Sequence, residues 1–128
     1  MKNPTEKQVI GRIGEDIAET FLVKHGFKVL ERNFLRKAGE IDVICIKEGK
    51  IYFVEVKTIS KSGVSRETDD YRPEDNLHPQ KIKRMSRAIE IYLDEKNIDP
   101  EWEIIGVMIM LNKQTKEAKV TLLKDFAW

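Results

Sequence analysis

The sequence is poor in cysteine and has neither a long hydrophobic run nor an excess of one charge. Its one cysteine, Cys45, cannot form an internal disulfide and lies in an apolar stretch, so we expect an unreactive buried thiol in a cytoplasmic protein. The longest apolar run, residues 104–111, is too short to span a bilayer, and the N-terminus lacks the apolar segment and cleavage site of a signal peptide. These features predict no association with a membrane.

The charges of the chain nearly balance, since 23 Lys and Arg against 22 Asp and Glu give a net charge of +1. This balance excludes the overall basic character of many nucleic-acid-binding proteins, so any basic binding surface has to be local. The 128 residues, of which 41% are hydrophobic, have the size and composition of one globular domain covering residues 1–128.

Hydrophobic periodicity predicts two helices and five strands in the order αβββαββ. Apolar residues at helical spacing mark a first helix over residues 6–24 and a second from residue 79 to about residue 96. Strands are predicted over residues 28–33, 40–46 and 51–57, and two more within residues 101–111 and 117–125. Residues 59–77 are polar and aperiodic, which predicts a long loop. We therefore expect an α/β fold with a central mixed five-stranded sheet flanked by two main helices.

Charged residues interrupt the apolar hairpin formed by the second and third predicted strands. A turn centred on residues 48–49 sets Asp42 opposite Glu55 and Glu40 opposite Lys57, all on one face by the period-two alternation. Opposed carboxylates lie about 5 Å apart and repel each other unless a cation lies between them. A divalent metal such as Mg²⁺, which prefers carboxylate oxygens and water, would remove the conflict. The alternative is a structural cross-strand ion-pair ladder, and the spacing alone leaves both open.

Two short motifs in this hairpin carry a family resemblance. ID at residues 41–42 and EVK at residues 55–57 resemble the PD-(D/E)xK nuclease motif. The wider pattern of GRIGEDIAETFLVKHGFKVLERN, GEIDVI and FVEVKT is similar to the YraN family of small bacterial proteins over nearly the whole chain. The strand acids and lysine also resemble those of archaeal Holliday-junction resolvases. The resemblance implies a restriction-endonuclease-like fold and a metal-dependent nuclease that hydrolyses DNA, with branched or flapped DNA as candidate substrates.

The resemblance also implies roles for individual residues. Asp42, Glu55 and Val56 would bind Mg²⁺ or Mn²⁺, and Lys57 would assist the attacking water. Glu15 matches the helical glutamate with which many of these nucleases complete the site. Independently, Glu15 lies on the flank of the first helix's apolar stripe, from which it could reach the sheet. The plain alternative is a helix acid that interacts favourably with the helix dipole.

A basic stripe on the second predicted helix offers the contacts that a phosphodiester substrate requires. Gln80, Arg84 and Arg87 share one helix face, Lys83 lies alongside, and Lys81 lies at the N-terminal end, where free backbone N–H groups favour phosphate. The expected partner is nucleic acid, DNA in the first place, and a homodimer is a candidate assembly. The alternative function is a nucleic-acid-binding module that keeps the nuclease fold without cleaving. A solvated helix face is the plain explanation of the stripe.

Overall fold

A computed structural model describes residues 3–61 and 79–124, and its elements follow the predicted order αβββαββ. Both helices have the predicted bounds. Most of the predicted loop, residues 62–77, lies outside the described residues. The elements are α1 (Glu6–Lys24), β1 (Lys28–Arg36), β2 (Gly39–Lys47), β3 (Lys50–Lys61), α2 (Pro79–Lys96), β4 (Trp102–Asn112) and β5 (Ala118–Leu123).

Helix α1 begins at a capping box. The backbone N–H of Gln8 donates to the Thr5 hydroxyl oxygen at 3.1 Å, and the backbone N–H of Thr5 donates to the Gln8 side chain at 2.9 Å. These bonds satisfy two backbone donors that would otherwise lack a partner, which explains why the helix starts here. The helix ends at the cap residue His25, whose ring Nδ1 is bonded to the Phe21 carbonyl at 2.8 Å.

The five strands form one mixed sheet in the order β1-β2-β3-β4-β5. All neighbours are antiparallel except β3 and β4, which are parallel and are connected through α2. A parallel neighbour needs a crossover connection, and α2 supplies it. The predicted α/β class with a mixed five-stranded sheet and two main helices is confirmed. Neither described helix is long and apolar enough to cross a membrane.

Two strands extend further than the sequence predicts. β1 continues past Asn33, which has a positive φ of 53°, to Arg36, because residues 34–36 pair with residues 39–41 of β2. β3 continues through residues 59–61, which pair with residues 110–112 of β4. The loop prediction for residues 59–61 is therefore wrong. Pairing with a distant strand supplies backbone hydrogen bonds that local polarity does not reveal.

The helices cover opposite faces of the sheet and form two cores. Ala18 and Leu22 of α1 are fully buried in the core on one face, and Met85 and Ile89 of α2 are buried in the core on the other. Cys45 is also buried in the α1-side core, and burial raises the pKa of its thiol to about 12. A thiol with this pKa and no exposure is unreactive, as predicted.

Candidate active site

The hairpin of β2 and β3 has the predicted register, but it opens before the acids. Residues 43–47 pair with residues 50–54 in the predicted register, around a two-residue turn with φ of 51° and 80°. Beyond residues 43 and 54 the strands are no longer paired. The prediction of directly opposed ladder pairs is therefore wrong for Asp42 with Glu55 and for Glu40 with Lys57.

The opening is explained by the conformation of β2 at Asp42. In place of a ladder bond, the Asp42 carboxylate accepts a hydrogen bond from the backbone N–H of Val56, with 2.7 Å between Oδ2 and N. Ile41 belongs to the α2-side core but Val43 to the α1-side core, although regular alternation would put them on one face. Asn33 lies in β1 between the residues that pair with these two, and it has the positive φ. The alternation thus breaks at Asp42, and the prediction of one continuous face is wrong there.

Asp42 and Glu55 are the only buried charged residues in the described ranges, each 7% exposed. Burial is the main cause that raises the pKa of Asp42 from 3.8 to about 8, and repulsion from Glu55 adds to it. The hydrogen bond from Val56 partly lowers that pKa, while Glu15 and Glu40 raise it. Burial likewise raises the pKa of Glu55, against the lowering influence of Lys81 and of a hydrogen bond with Asp42. Near neutral pH and without a bound metal ion, the two carboxyls therefore hold one proton between them.

Lys81 supplies the one cation that reaches this pair in the described part of the chain. Its ammonium forms an ion pair with Glu55, whose side chain is 8% exposed. The sequence predicts Lys81 as a phosphate contact, whereas the structure places it directly on a predicted metal ligand. Lys81 therefore stands where a cation bound by Glu55 would stand, and a metal ion has to compete with it.

Glu15 of α1 lies close enough to Asp42 to act on it electrostatically, and its role in the site stays a prediction. Its charge contributes to the raised pKa of Asp42, and it lines the same cleft. Arg32 of β1 pairs with Glu15 at 3.5 Å and more closely with Asp16 at 2.8 Å and Glu19 at 2.9 Å. Arg32 therefore ties this side of α1 to β1.

Glu15, Asp42, Glu55 and Lys81 line one cleft of about 870 Å³ between the N-terminal halves of α1 and α2. Two close approaches shape it. A side chain at Gly14 would collide with Thr58 of β3, and one at Gly39 would collide with the backbone carbonyl of Arg84 in α2. Only glycine permits these contacts, which bring both helices to within reach of the acids.

The predicted nucleic-acid contacts divide into two groups. Lys81 and Arg84 line the cleft, and so does Lys57 of β3. Neither Lys57 nor Arg84 has an acid within ion-pair distance in residues 3–61 and 79–124. The other predicted contacts are exposed on α2 and do not line the cleft: Gln80, Lys83 and Arg87.

Sequence reasoning missed three residues that line the cleft, Lys7 and Ile10 of α1 and Leu35 of β1. Lys37, near the turn between β1 and β2, also lines the cleft, and in the sequence it belongs to a basic cluster around that turn, with Lys28, Arg32 and Arg36. Lys7 could have been found, because it precedes Glu15 by eight residues and therefore lies on the same side of the helix. No sequence signal brings the turn to the same place, since its position depends on the contact of Gly39 with α2.

The two buried carboxylates are oxygen donors of the kind that a hard divalent cation binds. Within the described ranges, no group of three or more His, Cys, Asp or Glu side chains has the geometry of a metal site. Mg²⁺ is commonly held by one or two carboxylates, with water and substrate phosphate completing its shell. Asp42 and Glu55 supply two such carboxylates beside open space. The ligand role of Val56 stays a prediction, and what the structure shows is that its N–H orients Asp42.

Comparison with known proteins identifies the family. The model of "Uncharacterised protein family UPF0102" matches residues 14–111. This chain belongs to the UPF0102 family. A UPF0102 protein of Nitratiruptor sp. is 34% identical over 115 residues, 90% of this chain and 95% of the relative. One of Caldanaerobacter subterraneus is 35% identical over 122 residues, 94% and 96% of the two chains. One of Helicobacter hepaticus is 43% identical over 83 residues, which are 65% of this chain and 67% of the relative.

UPF0102 is the family that the sequence motifs identify as YraN, so that prediction is confirmed. The segment matched by the UPF0102 model contains both buried acids and the two helix residues nearest them, Glu15 and Lys81. Lys7 lies before the matched segment and Lys37 lies within it. The acid site is therefore part of the region by which the family is defined.

Proposed function

We propose that this UPF0102 protein is a divalent-metal-dependent nuclease that hydrolyses phosphodiester bonds in DNA. The observation that carries the proposal is the pair of buried acids, Asp42 and Glu55, at the opening between β2 and β3, in a cleft that also holds amines. Buried acids without full pairing lower the stability of a fold, and they are common at catalytic sites. The combination suits a substrate that carries negative charge and reacts at phosphorus.

Six residues of the cleft have proposed roles that their positions support. Asp42 and Glu55 would hold Mg²⁺ or Mn²⁺, and Glu15, which lines the same cleft, would accept a hydrogen bond from a metal-bound water. When bound, the metal supplies Lewis-acid polarisation of the phosphate. Lys57 orients the attacking water and offsets negative charge that develops on the phosphate. The water oxygen forms the new bond to phosphorus and gives up one proton to solvent, one phosphorus–oxygen bond breaks, and the leaving oxygen takes up one proton from solvent. Lys81 and Arg84 contact the phosphates.

The test is metal-dependent cleavage of linear, flapped and branched DNA by the purified protein. Asp42→Asn and Glu55→Gln keep the shape of each side chain but remove its charge, so we expect both to lose at least about a hundredfold in rate. Asp94→Asn removes an exposed acid from α2 and should leave the rate unchanged. Equal cleavage by wild type and by Asp42→Asn would identify a contaminating nuclease and refute the proposal.

A second candidate function is a nucleic-acid-binding module that does not cleave. It is favoured by one observation, the ion pair between Lys81 and Glu55, which neutralises Glu55 without any metal. This function predicts salt-sensitive DNA binding and no turnover with Mg²⁺ or Mn²⁺. A thermal shift separates the two, because a metal site predicts that Mn²⁺ raises the Tm of wild type and of Asp94→Asn but not of Glu55→Gln.

A further inference from the structure

Part of the cleft is formed by cationic and apolar residues of α1 and of the chain around the end of β1, which the proposed catalytic roles do not use. We call this part the α1–β1 wall, and it consists of Lys7, Ile10, Leu35 and Lys37. We infer that the α1–β1 wall is a nucleotide subsite, which binds the single-stranded part of a polynucleotide beyond the acid pair. This inference rests on the proposed function for the nature of the ligand and adds its path through the cleft.

The lysines of the wall are not engaged by the acids near them. One of these acids, Glu40, lines the cleft opposite Leu35 and forms no ion pair in the described ranges, and two others pair with residues outside the wall. Glu6, next to Lys7, pairs with Lys113 at 2.6 Å. Arg36, next to Lys37, is held by both carboxylate oxygens of Glu95 at 2.7 and 2.8 Å. Lys7 and Lys37 are themselves exposed and have no ion-pair partner among the residues that the structure describes. The wall therefore presents two lysines whose charge is not neutralised within that part of the chain.

The wall also offers apolar surface. Leu35 is 65% exposed, the most exposed of the large hydrophobic side chains in the described ranges, and Ile10 of α1 is half-buried in the same cleft. Exposed apolar surface is covered favourably by a flat apolar group. Phosphates at a regular spacing with flat bases between them match lysines and apolar side chains that share one wall. A nucleotide chain fits this combination better than a free anion, which has no group to cover Leu35.

The positions of the lysines and arginine on the two helices determine which phosphodiester bond reaches the acids. Lys7 belongs to α1 and Lys81 and Arg84 to α2, and these helices lie on opposite faces of the sheet with the acids between them. A chain that contacts both sides continues past the acids in both directions. The bond brought to the acids is therefore an internal one, so the subsite makes the protein an endonuclease and not an exonuclease.

The test measures binding without cleavage, so that it does not depend on the metal. A fluorescent oligothymidylate of about fifteen nucleotides, long enough for one such groove, is titrated with protein in EDTA at several salt concentrations. For single strands, each phosphate contact contributes about 0.7 to the slope of log K against log salt. The double variant Lys7→Met, Lys37→Met should therefore lower the slope by about 1.4 and weaken binding roughly 25-fold at 0.1 M salt. The matched control, Lys24→Met with Lys28→Met, removes two exposed lysines of α1 and β1 outside the cleft and should leave the slope unchanged.

A second arm tests the apolar part of the wall. Leu35→Ser should weaken binding of the oligothymidylate about threefold but leave binding of an abasic chain of equal length unchanged, because only the former has bases. Equal slopes in the Lys7, Lys37 variant and its control would overturn the subsite, and so would a wild type that does not bind the oligonucleotide. A lowered slope in a protein that never cleaves would support the subsite and refute only the nuclease proposal.

Discussion

Replacing Asp42 by Asn should make the metal-free protein more stable at high pH. Burial raises the pKa of Asp42 from 3.8 to about 8, so the folded protein holds this proton more tightly than the unfolded chain does. The stability gained from the proton is complete below the unfolded pKa and is lost as the pH rises toward 8. Asn imitates the protonated acid: its side-chain oxygen can accept the Val56 N–H, and its amide can donate to Glu55.

The magnitude follows from linkage between protonation and folding. One pKa unit corresponds to about 1.36 kcal/mol, so ionising Asp42 between about pH 5 and about pH 8 removes up to about 4 kcal/mol from the folding free energy. That is a large part of the roughly 5 to 15 kcal/mol that stabilises a domain. Because the pair with Glu55 shares one proton, the loss is counted once. The Asp42→Asn variant cannot lose this proton and should avoid most of the loss.

Urea unfolding in EDTA at the two pH values measures the effect. The quantity of interest is the difference between wild type and Asp42→Asn, since contributions of other titrating groups cancel in it. Asp94→Asn is the matched control, because this exposed acid of α2 should not change the pH dependence. If wild type and Asp42→Asn lose equal stability between the two pH values, Asp42 is already ionised in the fold and the reasoning from burial is refuted.

Two further predictions concern the neighbours of the acid pair. Lys81→Met removes the ammonium that competes for Glu55, so calorimetry should show Mn²⁺ binding about tenfold more tightly, about 1.4 kcal/mol. Arg84 does not pair with either acid, so Arg84→Met should change the affinity for Mn²⁺ much less. Equal effects of the two substitutions would mean that only the overall charge of the cleft matters. Gly39→Ala places a methyl group against the backbone of α2 and should lower the unfolding free energy, measured in urea, by about 2 kcal/mol. At Gly11 no atom lies within 4 Å of an added methyl group, so Gly11→Ala should instead stabilise the helix by about 1 kcal/mol. A Gly39→Ala protein as stable as wild type would contradict the close approach.

The sequence predicts those parts of the fold whose causes are local. The first helix has its capping box and apolar stripe within residues 5–22, so its bounds follow from nearby residues alone. The hairpin register follows from a two-residue turn at residues 48–49, and it holds wherever the strands stay paired. These signals depend on contacts a few residues apart, which periodicity and turn chemistry record directly.

The parts that the sequence does not predict depend on distant contacts. The alternation of side chains along the strands predicts that β2 and β3 stay paired up to Asp42. Nothing in residues 39–47 indicates that Asn33 of β1, beside Asp42, has a positive φ. In the same way, the ion pair of Lys81 with Glu55 depends on where α2 is placed against the sheet. The residue types of the site were therefore predictable, whereas its geometry was not.

The geometry also decides against the structural explanation of the acids, a cross-strand ion-pair ladder. A ladder requires Glu40 opposite Lys57 and a cation for each buried acid, but the strands are no longer paired at these positions. In the described ranges Lys81 pairs with Glu55 alone, and Asp42 has a backbone N–H but no cation. Two buried acids with one cation stabilise a fold less than an apolar pair of the same size would. A cation from outside the chain would remove this imbalance, and this is the physical reason for the metal ion that we propose at the acid pair.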